Sequence, residues 1–227
     1  MTLKRILEPE IMHSAEAALE YEAIDHTAAN AAFAGLLAAV IGLKGGKLLD
    51  LGTGPCDLPI AICRRILGVK ITAVELAPSM LKLASKRIAR AGLAGRISLV
   101  KADAKATAFP SGAFDCVICN NLIHHIADPG LIFREIARLC RPGGGILLRD
   151  LRRPANRRRI SAMVARCAGS DTPCQQELLR SSMHASLRVA EVRGYALRAG
   201  LADFALKADG ERHWQLQRPV RGTTGRR

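Results

Sequence analysis

The stretch Lys47-Leu48-Leu49-Asp50-Leu51-Gly52-Thr53-Gly54-Pro55-Cys56-Asp57 constrains this chain more than any other. Apolar residues and one acid run straight into two glycines a single residue apart. That order predicts a buried strand, a tight turn and a helix opening behind it. Gly52 and Gly54 carry no Cβ, so the backbone there bends sharply and lets a ligand come close. A strand–glycine turn–helix unit of this kind makes a nucleotide-cofactor crevice at the carboxyl end of a parallel strand.

The residues on either side repeat the theme. Strands are expected near 47–51, 70–75, 96–101, 114–119 and 145–150, with helices between them at about 57–67, 78–91 and 129–140. Asp57 is expected to cap the first of these helices, Pro78 to open the second and Asp128-Pro129 the third. Five strands alternating with helices imply a parallel sheet. Residues 188–199 read as a further helix. Strands near 202–208 and 212–217, joined by Asp209-Gly210, read as a hairpin. The expected fold is a Rossmann-like α/β domain: a doubly wound, seven-stranded, mostly parallel sheet with a C-terminal antiparallel hairpin. Residues 1–46 form an N-terminal helical cap, with helical periodicity over 8–40. Residues 47–227 form the cofactor-binding domain, with 151–184 as a basic, irregular-to-helical insertion on its substrate side.

At 227 residues the chain is long enough for one large domain with a full core. No run of 18 apolar residues occurs, so no membrane span is expected. Glu8 and Glu10 stand where a signal peptide would be apolar, which points to the cytoplasm. Net charge is +14, unevenly placed: residues 1–30 hold Lys4 and Arg5 against six acids, −4, leaving +18 on the rest. A basic body can steer nucleic acid or another anion. The blander reading is a solvated basic face. The seven cysteines read as buried free thiols. Cys116 and Cys119 have metal-ligand spacing but lie on a strand, where residues three apart face opposite sides. No metal is therefore expected.

The chemistry sits at the strand ends. Asp50 ends the first strand and Glu75 the second, where an acid can accept hydrogen bonds from both hydroxyls of a ribose. Asp103 follows the third strand, where a carboxylate can receive an exocyclic adenine amine. Asn120 and Asn121 follow the fourth. In a parallel sheet all of these converge on one crevice.

As a set, the motifs resemble the class I S-adenosylmethionine-dependent methyltransferases, in particular the small-molecule group that includes the ubiquinone/menaquinone-biosynthesis enzymes. The residues that carry the resemblance are Leu48–Pro55, Ala73-Val74-Glu75-Leu76-Ala77-Pro78-Ser79-Met80-Leu81, Ala102-Asp103-Ala104, Phe114–His125 and Leu139–Gly145, covering 47–150. The resemblance implies roles. Asp50, Gly52, Thr53 and Gly54 line the methionine part of the cofactor. Glu75 holds the ribose, with Leu76 on the adenine. Asp103 and Ala104 receive the adenine ring. Asn120 presents backbone to the methionine amino group, and Asn121 beside it is also expected at the cofactor. Apart from the resemblance, Tyr21 in the N-terminal segment is expected to close over the methionine part. One departure is Cys56, where many members have a third glycine.

The expected reaction moves a methyl group from S-adenosyl-L-methionine to a small-molecule acceptor by in-line displacement, leaving S-adenosyl-L-homocysteine. Alignment and water exclusion do most of the work, and a base is needed only where the acceptor carries a proton. His124 and His125 are the candidate catalytic residues. Arg149, Asp150, Arg180 and His184 are the candidate substrate contacts, and the chain is expected to act as a monomer or homodimer. Two alternatives stand beside this reading: an RNA or protein methyltransferase using the basic surface, and a cofactor-binding member that transfers no methyl. An NAD-type crevice fits poorly, because Asp57 occupies the third glycine site and would face a pyrophosphate.

Overall fold

The computed structural model describes residues 3–8, 26–169 and 171–221. Seven strands form one sheet: β1 (Gly45–Leu51), β2 (Gly68–Glu75), β3 (Ile97–Lys101), β4 (Phe114–Asn120), β5 (Cys140–Leu151), β6 (Ala205–Asp209) and β7 (His213–Arg218). Their order is β3-β2-β1-β4-β5-β7-β6. The first five are parallel, and β7 runs antiparallel between β5 and β6. The expected parallel sheet with a C-terminal hairpin is therefore the observed one.

Register explains why β1 is apolar almost throughout. Leu48 pairs with Cys116 and Leu51 with Cys119, and side chains alternate between the two faces of the central strands. Leu48, Cys116, Ile118 and Leu147 join one core with α1 (Thr27–Ala39), α2 (Asp57–Arg65) and α3 (Pro78–Arg90). Leu49, Leu51, Val117, Cys119 and Leu148 join the opposite core with α4 (Pro129–Leu139) and α7 (Val189–Arg198). Cys116 and Cys119 thus lie on opposite faces. Five cysteines are buried and Cys167 and Cys174 are exposed; none of the seven forms a disulfide.

The 151–184 segment is more regular than its sequence suggests. It forms α5 (Arg157–Cys167) and α6 (Pro173–Ala185), which share a small core of Ile160, Met163, Val164 and Met183. The Asn156 side chain caps α5, and a Thr172–Gln175 capping box opens α6. Asp128 caps α4 as expected, its Oδ1 accepting from the Gly130 N–H at 2.8 Å. Asp57 does not cap α2. Cys56 holds that position in a left-handed conformation, φ +69°, and the Asp57 carboxylate, one residue inside, pairs with Arg87. α2 ends at Arg65, and β2 begins already at Gly68, two residues before the expected strand. Among the described residues no helix is long and apolar enough to cross a membrane.

Candidate active site

The order of the sheet sets the place of the site. β1 leads outward to β2 and β3 on one side, and β4 and β5 lie on the other, so the direction of winding switches between β1 and β4. Strand ends part at such a switch and leave a crevice above their carboxyl ends. A crevice open at its mouth occupies this position.

Its floor is the turn after β1. The N–H groups of Gly52 and Thr53 both donate to the Val74 carbonyl at 2.9 Å, tying the turn to β2. Gly52 has φ +74°, and a Cβ added there would meet Leu122 at 2.7 Å. Gly54 has φ +55° and open space where its Cβ would be. The Gly54 N–H donates to Glu75 Oε2 at 2.9 Å, while the N–H groups of Leu76 and Ala77 donate to Oε1 at 2.8 and 2.9 Å. The Glu75 carboxylate is thereby fixed at the mouth of β2 with lone pairs to spare. The Asp103 carboxylate accepts from the Lys105 N–H at 2.9 Å and lies 3.1 Å from its ammonium.

Asp50 is strongly perturbed. It is only 2% exposed, and burial, with Glu75 adding to it against a hydrogen bond from Thr53, raises its carboxyl to about 7. Its Oδ2 has no hydrogen-bond partner, nor have Asn120 Oδ1 and Asn121 Oδ1. Three orphan buried oxygens on the walls of one crevice are what a polar ligand would satisfy.

Of the residues expected to bind cofactor, Asp50, Gly52, Thr53, Gly54, Glu75, Leu76, Asp103, Ala104, Asn120 and Asn121 all line this crevice. Tyr21 lies outside the described residues. His125 lines the crevice and His124 does not. His124 is buried behind the wall, its Nδ1 2.5 Å from Asp150 Oδ1. Burial opposes a charge on this imidazole, but Asp150, and after it Glu8, outweigh burial and hold His124 above its usual range. Asp150 is correspondingly held low, against its own burial.

The four expected substrate contacts lie off the crevice wall. Asp150 is committed to His124 and to the Leu151 N–H at 2.6 Å. Arg149 faces the hairpin, donating to Asp209 at 2.7 Å and to His213 Nδ1 at 3.0 Å. Burial and then Arg149 push His213 down to about 3, which leaves that nitrogen free to accept. Arg180 pairs with Glu177 on α6. His184 sits in the last turn of α6, where its carbonyl accepts from the Ile6 N–H at 3.2 Å. His26, Asn30, Asp57, Met80 and Lys105 also line the crevice; His26 and Asn30 belong to the N-terminal segment expected to cap it, while none of the five was assigned to the cofactor. His26 and Asn30 stand at the start of α1, far in sequence from the glycine turn. Met80 had a visible signal, falling one turn into the helix after Glu75.

A doubly wound sheet with acids at successive strand ends and a glycine floor defines a nucleotide-cofactor α/β domain. Residues 49–148 match the family described as methyltransferase domain. A ubiquinone biosynthesis O-methyltransferase of Xanthomonas campestris is 30% identical over 162 residues, 69% of this chain and 66% of its own length. The ubiquinone/menaquinone biosynthesis C-methyltransferase UbiE of Cronobacter sakazakii is 31% identical over 113 residues, 49% of this chain and 45% of its own length. The matches therefore span about half to two thirds of these curated relatives. In fold, a solved structure from Methanococcus maripaludis, described as a candidate S-adenosyl-L-methionine-dependent methyltransferase, gives a TM-score of 0.72 at 21% identity. It covers 97% of this chain and 100% of its own. A Haemonchus contortus phosphoethanolamine N-methyltransferase 2, in complex with S-adenosylhomocysteine, gives 0.61 at 20% identity over 78% of this chain and 38% of its own. The chain resembles the class I S-adenosylmethionine-dependent methyltransferases, and among them the ubiquinone-biosynthesis enzymes.

Proposed function

We propose that this protein transfers a methyl group from S-adenosyl-L-methionine to a small-molecule acceptor, releasing S-adenosyl-L-homocysteine. The observation that carries this reading is the convergence of Asp50, Glu75, Asp103 and Asn120 on one crevice, with orphan oxygens on Asp50 and Asn120. Glu75 is assigned to the ribose hydroxyls, Asp103 and the Ala104 backbone to the adenine, and Leu76 to its face. Gly52, Thr53, Gly54, Asp50, Asn120 and Asn121 are assigned to the methionine end. The cofactor supplies a methyl group on a cationic sulfur, already activated for displacement. What the protein adds is alignment and exclusion of water. Of the two candidate catalytic histidines, His125 is the one placed to meet an acceptor. The relatives named for ubiquinone biosynthesis support a small organic acceptor over RNA or protein. Seven cysteines with no disulfide among them suit a reducing compartment, which favours the cytoplasm. A monomer or homodimer is the proposed assembly.

Calorimetric titration with S-adenosylhomocysteine, beside NAD and beside Glu75→Ala, tests the cofactor. The expected result is binding by the wild type, silence from NAD, and a loss on the order of 100-fold in the variant, since two charge-assisted hydrogen bonds go. Methyl-labelled S-adenosylmethionine with an acceptor screen then reads transfer directly. Binding of NAD, or indifference to Glu75→Ala, would overturn the reading.

A further inference from the structure

Residues 3–8 run along the molecule as a strap and end at the wall of the crevice. The Arg5 guanidinium fastens the strap, donating to the carbonyls of Ala185 at 2.6 Å, Ile126 at 2.8 Å, His124 at 3.1 Å and Ala127 at 3.2 Å. Glu8 is thereby delivered to the two histidines with its side chain only 8% exposed. Its Oε2 accepts from the Ser182 hydroxyl at 3.1 Å. Its Oε1 lies 3.0 Å from His125 Nδ1, an ion-pair distance, and 3.4 Å from His124 Nε2.

Two imidazole nitrogens and a carboxylate oxygen meet around one point. The 3.4 Å separation from His124 is that of neighbouring ligands around one ion, and the 3.0 Å from His125 is somewhat shorter. With Zn–N and Zn–O bonds of roughly 2.0–2.2 Å, donors at a tetrahedral angle stand about 3.3–3.5 Å apart. All three donor atoms lie within 4.8 Å of one another. The outer shell is also in place. Asp150 takes His124 Nδ1, which fixes the ring with Nε2 toward Glu8, the arrangement that orients and strengthens metal-binding imidazoles. The Asp150 carboxylate is itself held by the backbone N–H groups of His124 at 3.2 Å and Leu151 at 2.6 Å.

We propose that Glu8 Oε1, His124 Nε2 and His125 Nδ1 bind a divalent transition-metal ion, with zinc the first choice for two imidazoles and one carboxylate. The ion clasps the N-terminal strap to the helical turn Ile123–His125. Because His125 also lines the crevice, the site stands at the border of the proposed reaction space. There His125 serves by holding the ion and not by taking the acceptor's proton.

The test uses untagged full-length protein, stripped with a chelator and dialysed, in a Cys167→Ser/Cys174→Ser background that removes the two exposed thiols. Cobalt(II) and zinc are titrated separately. One cobalt per chain is expected, with visible ligand-field bands and no thiolate charge-transfer band, and zinc is expected to displace it. Zinc is also expected to raise the melting temperature by several degrees. Glu8→Gln and His125→Ala should each weaken cobalt binding by roughly 10-fold or more. Circular dichroism and S-adenosylhomocysteine binding by Glu8→Gln confirm that it folds. Absence of stoichiometric cobalt binding in the stripped protein overturns the proposal. So does binding that both variants leave unchanged, or a thiolate band. Because homocysteine-compound binding is read on its own, a missing metal site and a missing cofactor site give different results.

Discussion

At the scale of single residues, Asp50 links stability to binding. Its folded-state carboxyl is raised to about 7 from an ordinary 3.8, so the folded protein holds a proton that the unfolded chain has lost. The sign of the linkage follows: Asp50 increasingly destabilises the ligand-free protein as pH rises from 3.8 toward 7, and the penalty is then constant. Asp50→Asn should therefore melt higher than the wild type at pH 8, by several degrees, with the gap closing toward pH 4. The same variant should bind S-adenosylmethionine more weakly. Thermal melts of both proteins across this range, beside calorimetry, check it; a variant that melts lower at pH 8 would sink the idea. Cys56 offers a second case. Its φ of +69° is a left-handed conformation, which costs a residue with a Cβ about 1–2 kcal/mol. Cys56→Ala and Cys56→Gly both lose the buried sulfur, but only glycine relieves the strain. Glycine should be the more stable of the two by about 1 kcal/mol in urea denaturation, reversing the usual order. The resemblance to methyltransferases with a third glycine at this position implies a preference for glycine there; its reason, a left-handed helix cap, is seen only in the structure.

At the scale of elements, the junction of α2, β2 and β3 hangs on Arg96. Its guanidinium donates to the carbonyls of Ile66 at 2.6 Å, Cys63 at 2.9 Å and Val69 at 3.1 and 3.2 Å. It thus satisfies the carbonyls that α2 leaves open at its end and spans to the start of β2. Arg96→Ala should cost about 2–3 kcal/mol, since buried carbonyls lose charge-assisted donors. Arg96→Lys should recover less than half, because a point charge cannot replace a planar fork. A lysine variant with the wild-type urea midpoint would contradict this. Elements differ in how plainly the sequence announces them. β1 to β4 were legible because short apolar runs end in glycine or a polar residue, a local pattern. The helices α5 and α6 were half legible: the Thr172–Gln175 box was present in the sequence, but the arginine-rich composition obscured the apolar stripe of Ile160, Met163 and Val164. The meeting of Glu8 with His124 and His125 had no local signal. It depends on Arg5 finding carbonyls some 120 residues away, and no periodicity encodes such a contact. Arg149 and Asp150 were read as substrate contacts because they end a strand, yet the neighbouring hairpin and His124 claim their side chains.

At the scale of the whole molecule, charge and site oppose one another. The chain carries +14, yet its crevice is lined by Asp50, Asp57, Glu75 and Asp103 against Lys105. The basic side lies elsewhere. Arg152, Arg159, Arg166 and Arg188 line a groove between α5 and the start of α7 that shares no residue with the crevice. A cationic cofactor therefore meets long-range repulsion from the body and short-range attraction from partly buried acids. Salt screens the first far more than the second, because exposed charges beyond about 8–10 Å are screened at physiological ionic strength and buried ones are not. Raising salt from 20 to 150 mM, on the order of a threefold drop in screening length, should leave S-adenosylmethionine affinity unchanged or slightly stronger. A polyanion such as RNA or heparin should lose roughly 10-fold or more over the same range, as counterion release requires. The two should bind without competing. Cofactor affinity that falls in step with polyanion affinity would mean that the crevice and the basic groove act as one surface, and the RNA-directed reading would then regain its claim on this protein.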